Sequence, residues 1–160
     1  MATQDISMQF AQSSDATVLA SLSRDLIEEG LGWRYRAQSV RQLIADQETV
    51  ALVARAGEAA AGFAIMKFGE ERAHLVLLAV LPVFQRRGIA RRMILWLVES
   101  AATAGVATIH VELRARNAGA YALYRATGFA ETLRVPGYYS GRETAIRMLR
   151  MLRAPAHTAR

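Results

Sequence analysis

Six residues, Gln85-Arg86-Arg87-Gly88-Ile89-Ala90, stand where an apolar run ends at Pro82 and helical periodicity begins. A loop that leaves a buried strand and enters a helix exposes backbone N–H groups that the first helical turn cannot satisfy. Those amides, with the positive end of the helix, make a seat for phosphate. Gly88 permits close approach or an unusual torsion, Ala90 keeps the turn small, and Arg86 and Arg87 act on phosphate oxygens. The spacing is neither the Gly-x-x-x-x-Gly-Lys of a triphosphate-binding loop nor the Gly-x-Gly-x-x-Gly of a dinucleotide fold. An ordinary glycine-containing turn with surface arginines fits the same residues, and at this level both readings stand. The second chemical position is Glu112, an acid in the otherwise apolar "VATIHVEL". Such an acid belongs at a cleft or in a pair. Pairing with Arg114, or a solvent-facing place on a half-covered strand, would account for it too.

Composition narrows the chemistry. The chain has 160 residues and no cysteine, which removes disulfides, thiolate nucleophiles and thiolate metal ligands. His74, His110 and His157 form none of the usual metal spacings, so no metal site is expected. "MATQDISMQF" carries no cationic segment followed by an apolar one, and no run of 18 uncharged apolar residues occurs; a soluble, cytoplasmic protein without a membrane partner is the expectation. Lysine plus arginine exceed aspartate plus glutamate by 20 to 14, giving +6, with Lys67 the one lysine. That balance suits an anionic partner such as a nucleotide cofactor, nucleic acid or an acidic protein segment. The arginines are scattered, without the clustered phosphate contacts of a nucleic-acid binder, and surface composition alone accounts equally well for the charge.

The elements that must position these residues follow from periodicity. Residues 8–10 read as a first strand, and "SSDATVLASLSRDLIEE" as a helix with Val18, Leu19, Leu22 and Leu26 at helical spacing. A second helix is expected over 37–46, after the glycine-loosened loop "GLGWRY". "TVALVARAG" and "AAAGFAIMKFG" read as an antiparallel hairpin turning at Gly57-Glu58. "AHLVLLAVL" is apolar on both faces and belongs at the centre of a covered sheet. Ala90, Met93, Ile94, Leu97, Val98 and Ala101 form one face of a helix over 88–104. Strand 106–113, a short helix capped by Asn117 and closed by Gly128, strand 129–135, the loop "PGYYSGRE" and a last strand "TAIRMLRML" complete one domain over 1–153. Residues 154–160 read as a frayed tail. The unit 71–81, 88–104, 106–113 is a crossover between parallel strands.

"QRRGIA" resembles the Gln/Arg-x-x-Gly-x-Gly/Ala signature of the GCN5-related N-acetyltransferase (GNAT) superfamily, with "LLAV", Pro82 and the amphipathic helix in the family's places. "VELRARNAGAYALYRATGF" resembles its second conserved block, and "GYYSGRETAIRM" is similar to the end of the branch that includes ribosomal-protein alanine N-acetyltransferases. The resemblance spans residues 7–152. It implies an α/β (α+β by some schemes) single-domain fold: a central twisted mixed sheet of six or seven strands, its fourth and fifth strands splayed, with four flanking helices.

The resemblance also implies a chemistry. Acetyl-CoA, as cosubstrate, would lie in the opening, its pantetheine arm along the backbone of Leu78, Ala79 and Val80. Its pyrophosphate would rest on the amides of the Gln85–Ala90 loop, with Asn117 beside the arm. Tyr124 is the expected general acid at the departing sulfur, and Glu112 the expected general base acting through water. Tyr138 and Tyr139 would bracket the incoming amine. Trp33 and Tyr35, with Glu28 and Glu29 nearby, would form the opposite acceptor wall. Without the resemblance, Tyr124 reads as a core aromatic with a satisfied hydroxyl, and the tyrosine pair equally as a packed hairpin. The implied function is transfer of acetyl to a primary amine in a ternary complex, with a protein or peptide N-terminal α-amine as one acceptor class. Small-molecule amines such as amino acids, polyamines or aminoglycosides remain alternatives, as does a non-catalytic acetyl-CoA sensor. The oligomeric state is open between monomer and homodimer.

Overall fold

A computed structural model describes residues 5–154; His157 and the tail beyond Ala154, read above from sequence, lie outside the described residues. The elements are β1 (Ile6–Phe10), α1 (Ala16–Leu26), α2 (Ala37–Ala45), β2 (Thr49–Ala56), β3 (Ala59–Phe68), β4 (Arg72–Val80), α3 (Ile89–Thr103), β5 (Thr108–Arg114), α4 (Ala118–Ala126), β6 (Ala130–Tyr139) and β7 (Glu143–Met151). The strands form one seven-stranded sheet in the order β1-β2-β3-β4-β5-β7-β6. β4 and β5 run parallel, joined through α3, and every other neighbouring pair is antiparallel.

Burial follows the periodicity. Met93, Ile94, Leu97, Val98 and Ala101 of α3 are buried, with Tyr124 and Phe129, against Leu52, Ala64, Met66, Leu75, Ile109 and Val111 on one face of the sheet. Leu19, Leu22 and Val40 of α1 and α2 cover Val53, Phe63, Ile65, Leu77 and Ala79 on the other. Two helical layers on one sheet give the chain a core on each face.

β4 is apolar on both faces for a reason that periodicity does not give. Ile65 pairs with Leu77 and Met66 with Leu75, so Val76 is an extra residue on β4. This β-bulge shifts the alternation: Ala73 and Leu75 point to the α3 core, Leu77 and Ala79 to the α1/α2 core. β4 and β5 pair from Arg72↔Thr108 through Leu75↔Val111 and no further. Beyond the bulge the two strands part. Along the other side of β4, Gly62 lies opposite Val80; a Cβ there would sit 2.7 Å from the Ala79 carbonyl oxygen, so only glycine allows β3 to approach so closely.

Three boundaries differ from expectation. α1 stops at Leu26, leaving 27–36 as a loop. β1 begins at Ile6 because its pairing with β2 extends to Ile6↔Ala56. Tyr138 and Tyr139, expected in a loop, belong to β6, whose register breaks between Val135 and Tyr139 around Pro136 and Gly137 and then resumes with Tyr139↔Glu143.

Candidate active site

The parting of β4 and β5 opens a cleft of about 1130 Å³, reached by Leu78 of β4, Glu112 and Arg114 of β5, Tyr124 of α4 and Tyr139 of β6. On its β4 side, Leu78, Ala79 and Val80 pair with β3 through Ala64, Phe63 and Gly62 and have no strand on their other side. The side chains of Ala79 and Val80 are buried in opposite cores, so these two residues offer the opening their backbone. A bare strand edge is a template for an extended ligand.

At the end of β4, Pro82–Phe84 form a short 3-10 turn. Gln85 Nε2 donates to the Val80 carbonyl at 2.9 Å, binding the loop back onto the strand; the Gln85 side chain is thereby engaged within the protein. Arg86 (φ 64°) and Gly88 (φ 77°) are both left-handed, and α3 begins at Ile89 with Gly88 as its N-cap. The amides from Arg86 to Arg91 donate to no backbone or side-chain acceptor among the described residues, and Arg92 N–H is the first to find one, at Gly88 O. Ile89 is buried, so its contribution to the seat is its amide, while Arg86, Arg87 and Gly88 are exposed. Arg87 lies over the Phe84 ring at 5.5 Å. A row of unpaired amides at a helix start fits an anion.

Tyr124 packs edge-on against Phe129 at 5.4 Å and is 5% exposed. Its hydroxyl has no hydrogen-bond partner among the described residues, yet it is not sealed from the cleft. Burial pushes this phenol well above its ordinary value, so it stays protonated. Asn117 caps α4, its Oδ1 accepting from Ala120 N–H at 3.0 Å, and it lines the cleft.

Across the gap, Glu112 Oε1 accepts from the Tyr139 hydroxyl at 3.1 Å and Oε2 from Arg147 Nε at 3.2 Å. The partner of Glu112 is therefore Arg147 of β7, its register partner, rather than Arg114. Burial and then the Glu112 charge push the Tyr139 phenol up, holding its proton. Tyr138 meets Tyr139 edge-on at 5.1 Å and lies under Arg147. Both tyrosines line the cleft.

The loop 27–36 carries the residues expected on the acceptor wall. Glu28 is 7% exposed, and its carboxylate accepts from Ser23 Oγ (2.8 Å), Arg34 N–H (2.7 Å) and Tyr35 N–H (3.2 Å). It organises the loop, and both Glu28 and Glu29 line the cleft. Trp33 is not among the residues lining the cleft: its Nε1 donates to Tyr35 O at 3.1 Å, and Arg24 and Arg36 lie 5.1 and 4.8 Å from its ring centre. Tyr35 does line the cleft.

Arg114, weighed in the sequence only as a partner for Glu112, binds elsewhere. It pairs with Glu143 through two nitrogens and donates to the carbonyls of Ile27 and Glu29, tying β5, the start of β7 and the loop after α1 together. Nothing local marks it, because its partners lie 29 residues downstream and some 85 upstream. Among the described residues no group of His, Asp and Glu is placed to hold a metal ion, and no helix is long and apolar enough to cross a membrane.

A family model described as "Acetyltransferase (GNAT) family" matches residues 18–129, more than half of the chain. The chain belongs to this acetyltransferase family. The GNAT match runs from α1 to the residue after Gly128 and includes the bulge, the Gln85–Ala90 loop, Glu112 and Tyr124. Among curated proteins, ribosomal protein bS18-alanine N-acetyltransferases are similar: 43% identical over 91 residues in Salmonella typhimurium and 42% over 91 residues in Escherichia coli. Each alignment covers 55% of this chain and 62% of the relative, so the match spans less than two thirds of those proteins. The crystal structure of the ribosomal-protein-S18-alanine N-acetyltransferase from Escherichia coli is similar at TM-score 0.76 and 27% identity, covering 98% of this chain and 99% of that one. Arabidopsis thaliana NAA60 in complex with acetyl-CoA shares the fold at TM-score 0.80 and 19% identity, over 92% and 98% of the two chains. The expected GNAT fold is thus present, with seven strands, four α-helices among the described residues, and the fourth and fifth strands splayed.

Proposed function

We propose that this GNAT protein is an acetyl-CoA-dependent N-acetyltransferase that moves acetyl directly to a primary amine, with the N-terminal α-amine of a protein or peptide as acceptor. One observation carries the reading: Tyr124 and Glu112, a protonated phenol and a carboxylate, reach a single cleft, Tyr124 from the α3 side of the sheet and Glu112 from the opposite face of β5. The similar bS18-alanine acetyltransferases and a neighbour's complex with acetyl-CoA support it. Those named relatives act on a ribosomal protein, which makes a cytoplasmic setting part of the same reading.

The residues present fit the cosubstrate. The bare edge of Leu78–Val80 suits an amide-bearing arm, and the unpaired amides of Arg86–Arg91 suit its pyrophosphate. Asn117 offers its Nδ2 beside them, since its Oδ1 is engaged in the cap. When bound, acetyl-CoA supplies an acyl group activated on sulfur. An unpaired amide of β4, assigned to Val80, polarises the carbonyl that the amine attacks. Glu112 takes the amine proton through water while Arg147 and Tyr139 fix its orientation. As the new C–N bond forms and the C–S bond breaks, Tyr124 gives its proton to the sulfur and recovers it from solvent. Holding both reactants in one cleft removes much of the entropic barrier. An α-ammonium, with a pKa of about 7.7–8.0, needs far less help than a lysine at about 10.4, which suits one half-exposed carboxylate.

The test is thiol release with acetyl-CoA over peptides bearing a free N-terminal alanine, peptides bearing only a lysine amine, polyamines and aminoglycosides. Release confined to the first class is expected, with Glu112→Gln lowering kcat roughly a hundredfold near pH 7. Acetyl-CoA binding without release from any amine would reduce the protein to a sensor, and release confined to the small amines would replace the acceptor.

A further inference from the structure

The cleft continues past Glu112 along the face of the sheet opposite α3. Lys67 of β3 is in register with His74 of β4, and His74 with His110 of β5; Arg72 is in register with Thr108. Register partners share a face, and the two histidine rings stack at 5.3 Å to prove it. Lys67, Arg72, His74 and His110 all line the same cleft as Glu112. Lys67, Arg72 and His74 are exposed.

None of the ion pairs among the described residues involves Lys67, Arg72 or either histidine. Of the acids nearby, Glu71 pairs with Arg153, Glu112 with Arg147, Glu143 with Arg114, and Glu28 holds its own loop, while Glu29 lines the same cleft, exposed and in no ion pair with the row. His110 Nε2 is 3.0 Å from Thr108 Oγ1. Its pKa is lowered by burial first and then by the positive fields of His74 and Arg72, as expected where cations gather without a counterion. Two permanent cations, Lys67 and Arg72, and two imidazoles stand at matched positions on three adjacent strands, none of them in an ion pair among the described residues, and form half of an electrostatic contact.

We infer that this row is a specificity subsite for the acceptor, and that it selects peptides carrying aspartate or glutamate shortly after the N-terminal residue. The inference rests on the acyl-transfer reading, which puts the acceptor amine at Glu112. His110 is two residues from Glu112 along β5 and Thr108, opposite Arg72, two further, about 7 and 13 Å at the rise of a strand. An extended peptide advances about 3.3 Å per residue, so acidic side chains at its third and fourth positions fall within reach of the row.

The experiment compares three synthetic octapeptides with a free N-terminal alanine and Glu, Gln or Lys at positions three and four. Binding is measured by calorimetry with CoA present, and acetyl transfer separately by thiol release. The Glu peptide should bind roughly fivefold more tightly than the Gln peptide, the sum of two exposed ion pairs, and the Lys peptide more weakly still. Raising salt from 50 to 500 mM should erase the difference. Lys67→Gln with Arg72→Gln, both exposed, should equalise the three, and Lys67→Glu with Arg72→Glu should favour the Lys peptide. Equal affinity for all three in the wild-type protein, no binding of any of them, or a preference that survives the double variants overturns the inference. Charge-selective binding without acetyl transfer keeps the subsite and sinks the acyl-transfer reading; transfer without charge preference does the reverse.

Discussion

Replacing Tyr124 with Phe separates a catalytic hydroxyl from a packing ring. The ring is 5% exposed and meets Phe129, but the hydroxyl has no hydrogen-bond partner among the described residues. Removing it breaks no bond in the chain and leaves no orphan, so stability should change by no more than about 0.5 kcal/mol. Truncation to alanine instead would empty a packed site at a cost of about 3–5 kcal/mol. Deleting a proton donor to the departing sulfur should lower kcat by about 10²–10⁴. The expected signature is therefore an unchanged melting temperature, CoA affinity within about twofold by calorimetry, and a collapse in the rate of thiol release. Because burial raises this phenol above its ordinary value, it keeps its proton through the neutral range, and the wild-type rate should show no fall from Tyr124 ionisation at pH 8–9. A Tyr124→Phe protein that turns over a good acceptor at the wild-type rate would refute the acid role and make Tyr124 a core aromatic after all.

Three further perturbations probe other parts of the site. Gly88→Val should leave the fold intact, since a Cβ there meets nothing within 4 Å, but φ +77° is hostile to a branched side chain; a strain of about 1–2 kcal/mol should appear as a 5- to 30-fold rise in CoA Kd, measured by calorimetry. Arg114→Met leaves two loop carbonyls without their donor and Glu143 with Arg116 alone, at 3.3 Å; denaturant unfolding should show a lower midpoint, and steady-state kinetics a larger rise in acceptor KM than in CoA Kd. His110 has its pKa lowered, so the folded state favours neutral imidazole. Its contribution to stability is complete above its ordinary value of 6.5 and fades as pH falls through the lower folded value, because the unfolded chain then binds the extra proton. Unfolding midpoints at pH 7.5, 6.0 and 5.0 should fall less steeply in His110→Asn than in the wild type.

Much of this architecture is written in local pattern. The α3 stripe, the β2–β3 hairpin, the Asn117 cap and the glycine loop all lie where spacing and turn chemistry put them, since each depends on neighbours within a few residues. The structure also brings Glu112, Tyr124, Tyr138 and Tyr139 to one cleft. What the sequence conceals is non-local. The extra residue at Val76 is a property of pairing with β3, and two apolar faces look alike whether a strand is covered on both sides or changes sides midway. Tyr138 and Tyr139 read as loop because Pro136 and Gly137 mark a turn, yet they mark a register break inside β6. Glu28 looks like a surface acid beside Glu29 until the loop folds over it, and Arg114, Glu143 and Arg147 find their partners only through strand register.

The seam between β4 and β5 is four residue pairs long, and it is the one ladder joining β1–β4 to the three C-terminal strands. A guest stretched along the bare stretch of β4 lengthens that seam. Occupancy therefore acts as mortar: the amides of β5, β7 and β6 become slower to exchange with solvent, and the two portions of the molecule melt more nearly as one.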